Sequence, residues 1–432
     1  RLCKGAYVAE LDRPWLETPF VFQGFEISSP TEIKILRSCC DYVFVDTDKS
    51  SLSREQLRDL EESQLTVGGS VRKSSPGESQ NGKLRRRFHD LLLRLDVARY
   101  FGIANRDAAG RYRITSTVRR EARNAQAAFE GLRSFHALMS EAVKQHGRVS
   151  IDAARQAVAP AIDSILRNPN AMAWVAFSRK SAPDEDNRAV ATSVWCTMFG
   201  RHLAFDRQSL EDLAIGGLLL DVGYAKLPAD VTATVTSLSP DERIALERHV
   251  EEGVKILQAS NGVTQNMLDM VRCHQERADG SGYPEGLTGE ETPSFGRIAG
   301  VADCYDAMTS DRAYSTASAG YDTARELNEM RGKQFQTEVV EQFLRAVGMF
   351  PTGSIVELND GRIGVVLEQN ADNALRPKVL LVLDKSHRRL RRPEVVQLRD
   401  LPMDATSRAA AWIVNGHGHG AFGIEPRLFF GS

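Results

Sequence analysis

The chain has 432 residues, 42% hydrophobic and 26% charged, a composition ordinary for globular protein in a chain long enough for more than one core. Lys+Arg 55 against Asp+Glu 57 leaves a formal net charge of −2, which removes any global attraction to nucleic acid or an anionic membrane and makes any anion site local. Apolar runs such as the one ending at Ile215–Leu220 are interrupted by glycine and fall short of the roughly 18 residues a membrane span needs.

Six cysteines, with Cys39 and Cys40 adjacent and no CxxC pair, read as reduced thiols, hence a cytoplasmic location. Arg1 stands where a start methionine would, so a preceding segment, a removed targeting sequence included, is left open.

Residues 1–115 read as a small α+β module. Leu11, Pro14, Trp15, Pro19, Phe20, Phe22, Phe25 and Ile27, then Tyr42–Val45, favour short strands and turns over helix. Within it, residues 47–83 are rich in Ser, Gly, Glu and Lys and lack the apolar surface to offset their ordering entropy, so a mobile insertion is expected.

Within residues 116–169 the stretch from about Ser116 to Gln156 is rich in Ala, Arg and Glu. Phe129, Leu132, Phe135 and Leu138 recur at helical steps, which predicts connecting amphipathic helices. Helical texture continues through 170–349 as a compact all-α domain, with breaks expected at Gly200, Gly223–Pro228, Asn261–Gly262 and Asp279–Pro293.

After Pro351 the period changes to two. Ser354–Leu358, the turn Asn359-Asp360-Gly361-Arg362, Ile363–Glu368 and Lys378–Asp384 predict a hairpin in a small β-barrel over residues 350–432. The glycine-flanked His417 and His419 near the end are expected in a flexible loop, since neither has an evident carboxylate or thiol partner.

The chemistry concentrates in the helical region. It holds Leu219-Leu220-Asp221-Val222-Gly223, then His249, then His274-Gln275-Glu276 and Asp279-Gly280-Ser281-Gly282-Tyr283-Pro284, followed by Arg297-Ile298, Asp303 and Tyr305-Asp306. Histidines and carboxylates spread over several helices of a bundle are the ligand set of a metal centre that cleaves phosphodiesters, where the ion activates water and offsets phosphoryl charge.

In order and spacing these residues resemble the HD-GYP family, a branch of the HD phosphohydrolases whose members hydrolyse cyclic di-GMP at two or three metal ions, often iron or manganese. The resemblance implies metal ligands at Asp221, His249, His274 and Asp303, with Asp221 also catalytic. It implies substrate contacts at Tyr283 and Arg312, and a GYP loop of Asp279, Gly280, Gly282, Tyr283 and Pro284. The front module, with Leu11-Asp12-Arg13-Pro14-Trp15, resembles an uncharacterised domain that often precedes HD-GYP domains.

Four family positions are lost. Leu220 replaces the histidine of the His-Asp pair, Tyr224 a lysine, Gln275 the second of two histidines, and Arg188 a first-helix histidine, with Asp184 the nearest carboxylate one turn earlier. Leucine cannot donate to a metal, and arginine adds positive charge where a cation would sit.

The resemblance with these losses leaves one position that keeps Asp221, His249 and His274, hence at most one divalent transition metal. Lys226 is expected to be a solvated side chain rather than a substitute for the lysine lost at Tyr224.

The reading is therefore a second-messenger protein with a depleted metal centre, weakly active or inactive, acting by binding cyclic di-GMP or a related nucleotide. Diguanylate cyclase domains are possible partners, and nucleic acid is not. The alternatives are an active phosphodiesterase with a reduced metal site and a non-catalytic interaction scaffold.

Overall fold

A computed structural model describes residues 2–11, 25–27, 33, 36–37, 40, 43–46, 50–52, 111–178, 185–228, 239–309, 320–370, 373–401, 411–418 and 420–430. The chain divides into two compact units, residues 1–97 with 401–414, and residues 98–400 with 415–432. The expected insertion at 47–83 lies almost wholly outside the described residues, as do Trp15, Asp184 and His419.

In the first unit, β1 (Tyr7–Leu11) is the centre of a three-stranded sheet, flanked antiparallel by β2 (Phe25–Glu26) and β3 (Val43–Asp46). Ala6, Val8, Ile27 and Leu36 form its small core. These strands carry Tyr7, Val8, Phe25, Val43, Phe44 and Val45, aromatic and β-branched residues that favour strand over helix.

The second unit opens with α1 (Val118–His146) and α2 (Ile151–Arg167). Each begins where a hydroxyl side chain accepts from a first-turn amide, Thr117 from Arg120 and Ser150 from Ala153. Phe129 and Leu132 are buried as the period predicts, but Leu138 is 74% exposed and Met139 takes the inward place. The 3.6-residue period carries the stripe one position past Leu138.

Then follow α3 (Pro169–Ser178), α4 (Glu185–His202) and α5 (Arg207–Leu219). The break expected at Gly200 does not occur, since α4 runs through it to His202. Gly200 serves packing instead: a Cβ there would strike the side chains of Leu213 and Leu210 on α5, so the absent side chain lets the two helices approach closely.

A 3-10 turn (Val222–Lys226) leads to α6 (Pro240–Glu247), α7 (His249–Gln258), α8 (Gln265–Cys273), α9 (Ser294–Thr309), α10 (Gly320–Glu329) and α11 (Thr337–Val347). Among the described residues no helix is long and apolar enough to cross a membrane.

The remaining strands are β4 (Ile355–Leu358), β5 (Ile363–Glu368), β6 (Lys378–Leu383), β7 (Arg389–Gln397) and β8 (Ile413–His417). The predicted hairpin is present, with Ile355 opposite Val365 and the Gly361 amide bonded to the Leu358 carbonyl at 2.9 Å.

The expected barrel is a sheet of order β7-β6-β5-β4-β8, and among the described residues no β7–β8 pairing closes it. Pro393, which has no amide to give a ladder, suits β7 to an edge. His417 is not in a free loop either. It lies on β8, and its Nε2 is 3.1 Å from Glu357, a carboxylate partner supplied by tertiary folding.

The sheet is tied to the helices through buried Asn170, whose Oδ1 accepts from the Thr352 hydroxyl at 3.1 Å and the Gln369 amide at 2.9 Å.

Candidate metal centre

Three chain junctions converge inside the helical domain. Asp221 follows the end of α5, His249 is the first residue of α7, and His274 follows the last residue of α8. Gly223 permits the approach, because a Cβ there would collide with the His249 carbonyl and the Gly253 amide. Any larger residue would push the Asp221 turn away from α7.

Both histidines are fully buried and oriented alike. His249 Nδ1 lies 2.8 Å from the Leu246 carbonyl and His274 Nδ1 lies 3.0 Å from the Val271 carbonyl. A carbonyl only accepts, so each Nδ1 carries the hydrogen and each Nε2 presents a lone pair inward.

The two Nε2 atoms are 3.4 Å apart, and Asp221 Oδ1 lies 3.4 Å from one and 3.7 Å from the other. Three acceptors facing one another at such distances require a proton or a cation among them. Two imidazoles and a carboxylate suit a divalent transition ion, and among the described residues these three form the group that could hold one. Burial chiefly pushes the His249 imidazole down, which keeps it neutral and able to ligate.

The other oxygen of Asp221 faces a second cation. Arg188, on α4, places Nη2 at 3.7 Å from Asp221 Oδ2 and 3.1 Å from Asp303 Oδ1, and its Nε lies 3.8 Å from Asp306 Oδ2. Asp303 and Asp306 are buried on α9, one turn apart. Burial works against the charge on Arg188, but the carboxylates outweigh it and hold the guanidinium protonated above its usual range. Burial would likewise raise Asp221, yet His274 and Arg188 hold it below the usual carboxylate range.

Asp303, which the resemblance placed among the metal ligands, is thus engaged by Arg188 and lies outside the Asp221–His249–His274 group. Gln275 turns the same way, its amide nitrogen 3.3 Å from Asp303 Oδ2. Leu220 is buried in the core.

Tyr224 stacks on the His249 ring at 4.3 Å and 16°, and Tyr283 meets the same ring edge-on at 6.3 Å, so two phenols pack on His249. Lys226 is exposed and donates to the Lys144 carbonyl at 3.2 Å. Arg312 lies outside the described residues.

Glu276 and Asp306 hold positions whose work is visible only in the folded chain. Glu276 is buried, and its two oxygens accept from the Glu285 and Leu287 amides at 2.8 and 2.9 Å, which shapes the loop carrying Tyr283. Asp306 also accepts from the Trp195 indole at 3.0 Å. The three-residue spacing of Asp303 and Asp306 was the available signal for a shared helix face. For Glu276 none existed, since its partners are loop amides.

Residues 170–339 match the family described as HD domain, residues 1–158 a domain of unknown function, and residues 355–403 a KOW domain associated with HD domain. Over 216 residues the chain is 33% identical to a cyclic di-GMP phosphodiesterase of Pseudomonas aeruginosa, covering 50% of this chain and 52% of that one. A cyclic di-GMP phosphodiesterase of Thermotoga maritima is 38% identical over 29% of this chain and 35% of its own length. A 3'3'-cGAMP-specific phosphodiesterase of Vibrio cholerae is 34% identical over 29% of this chain and 24% of its own.

The chain therefore spans about half or less of the length of these curated relatives. With the DGSGYP string in place and Asp221, His249 and His274 brought together, residues 170–339 of the chain form an HD domain of the HD-GYP type.

Proposed function

We propose that the helical domain recognises a cyclic dinucleotide, cyclic di-GMP first, at a centre with one divalent transition ion, and that its hydrolysis is weak or absent. The observation that carries this is the Asp221–His249–His274 group, three inward acceptors within 3.4 to 3.7 Å of one another, beside carboxylates already engaged by Arg188. A bound ion would lower the pKa of water and offset charge on the phosphoryl oxygens.

The protein's own contribution is to fix that centre. The Leu246 and Val271 carbonyls set both imidazole tautomers, and Asp221 stays ionised and divides its oxygens between the histidines and Arg188. Tyr283 and Tyr224 offer aromatic faces for a base, and Arg312 a guanidinium for a phosphate. Iron or manganese suits the ligands, and diguanylate cyclase domains are the partners the reading suggests. A cytoplasmic location follows from the substrate class.

The retained triple also favours a second reading, an active phosphodiesterase working with a reduced site. One experiment separates the two: elemental analysis of purified protein together with turnover of cyclic di-GMP. The expected result is at most one transition ion per chain and turnover far below that of enzymes with a full ligand set. Two or more tightly bound ions, or rapid metal-dependent conversion to the linear dinucleotide, would refute the proposal.

A further inference from the structure

The carboxylates around Arg188 present a problem that the proposed single-ion centre does not solve. Asp303 and Asp306 are buried, and Asp221, whose Oδ1 faces the histidines, has Oδ2 3.7 Å from the same Arg188 that they face. Three buried or half-buried carboxylates from two chain segments, all within 4 Å of one side chain, are not stable without positive charge among them. Arg188 is that charge. Its Nη2 serves Asp303 and Asp221 together and its Nε faces Asp306.

Asp221 is consequently a bridging carboxylate with a cation position on each side, one formed by histidines and the other filled by a side chain. Trp195 and Gln275 complete the second side, the indole donating to Asp306 and the amide to Asp303. Each donates into the carboxylates and neither offers a ligand atom to a competing ion at those contacts.

We infer that the Arg188 guanidinium is a tethered replacement for a second metal ion, occupying the Asp221–Asp303–Asp306 cage and joining α4 to α9 without metal. This deepens the single-ion reading of the same centre and rests on it for the count of ions, but not for the role of Arg188. A guanidinium suits the task because it stays charged when partly buried and spreads its donors over several carboxylates, whereas a bound ion would exchange with solvent. The device makes this junction insensitive to metal supply, and it leaves the histidine side as the one exchangeable position in the centre.

The test compares wild type with Arg188→Met, which keeps length and removes charge, and Arg188→Lys, which keeps charge. The probe is Mn2+ alone, and the readouts are bound manganese per chain and the melting temperature with and without chelator. In chelator, Arg188→Met should melt about 6–20 °C below wild type, the shift expected when one partner of a buried ion-pair network is removed. Added Mn2+ should restore most of that loss and bind in one equivalent more than wild type takes up. Arg188→Lys, which keeps the charge but reaches fewer carboxylates, should take up no additional manganese and melt between wild type and Arg188→Met.

Should Arg188→Met not fold, the same count and melts are read on Arg188→His, which places a ligand atom at the same point. A neutral variant that melts with wild type in chelator, or one that takes up no additional manganese, overturns the inference. Wild type that binds no manganese would refute the proposed histidine-side ion. The extra equivalent and the metal-restored stability in the variant still decide the role of Arg188.

Discussion

Glu276→Gln isolates what the buried carboxylate beneath the Tyr283 loop contributes. Glu276 is 5% exposed, and its two oxygens each accept one backbone amide, from Glu285 at 2.8 Å and Leu287 at 2.9 Å. Glutamine keeps the shape but converts one acceptor into an NH2 group that meets an N–H head-on.

One charge-assisted bond is lost, about 1.5–3 kcal/mol, and one buried amide is left without an acceptor. The loss falls on the loop, so the opening free energy of residues 285–287 should drop by that amount and their amide exchange should accelerate about 10- to 150-fold. Hydrogen exchange followed by mass spectrometry resolves this, with α8 as the internal control. If exchange at Glu285 and Leu287 were unchanged, the carboxylate would not be holding the loop.

Three further outcomes are expected. Gly200→Ala should cost about 1–3 kcal/mol in a urea titration, because its methyl group would press on Leu213 and Leu210 across the α4–α5 contact; an unchanged midpoint would refute that close approach. Burial chiefly pushes the His202 imidazole below its usual pKa, against an opposing contact with Gln342, and burial does the same to His249. The unfolded chain then takes up protons first as pH falls below about 6.5, so stability is full above that value and declines beneath it. Melts at pH 7.5 and 5.5 should show the decline and His202→Asn should reduce it, whereas equal slopes would exclude His202. Trp195→Phe should cost about 1.5–3 kcal/mol, since Asp306 loses the indole donor that helps satisfy it, and a melt indistinguishable from wild type would count against that bond.

Much of the helical domain was legible before any coordinates. Hydrophobic period and the order of Asp221, His249, His274 and the DGSGYP string locate the centre, because side-chain chemistry at fixed spacing is a one-dimensional signal. The hairpin at Asp360-Gly361 was legible for the same reason, as a short-range turn between alternating runs.

What sequence alone did not decide concerns partners distant in the chain. Arg188 reads in sequence as a lost histidine, and only the packing of α4 against α9, 115 residues away, makes it the cation of Asp303. His417 reads as a loop residue until β8 brings it to Glu357, 60 positions earlier. Gly200 reads as a helix breaker, yet its consequence depends on Leu213 across a helix interface. In each case the residue type was visible and its energy was not, since burial and the charge opposite set that energy, and both are properties of the folded chain.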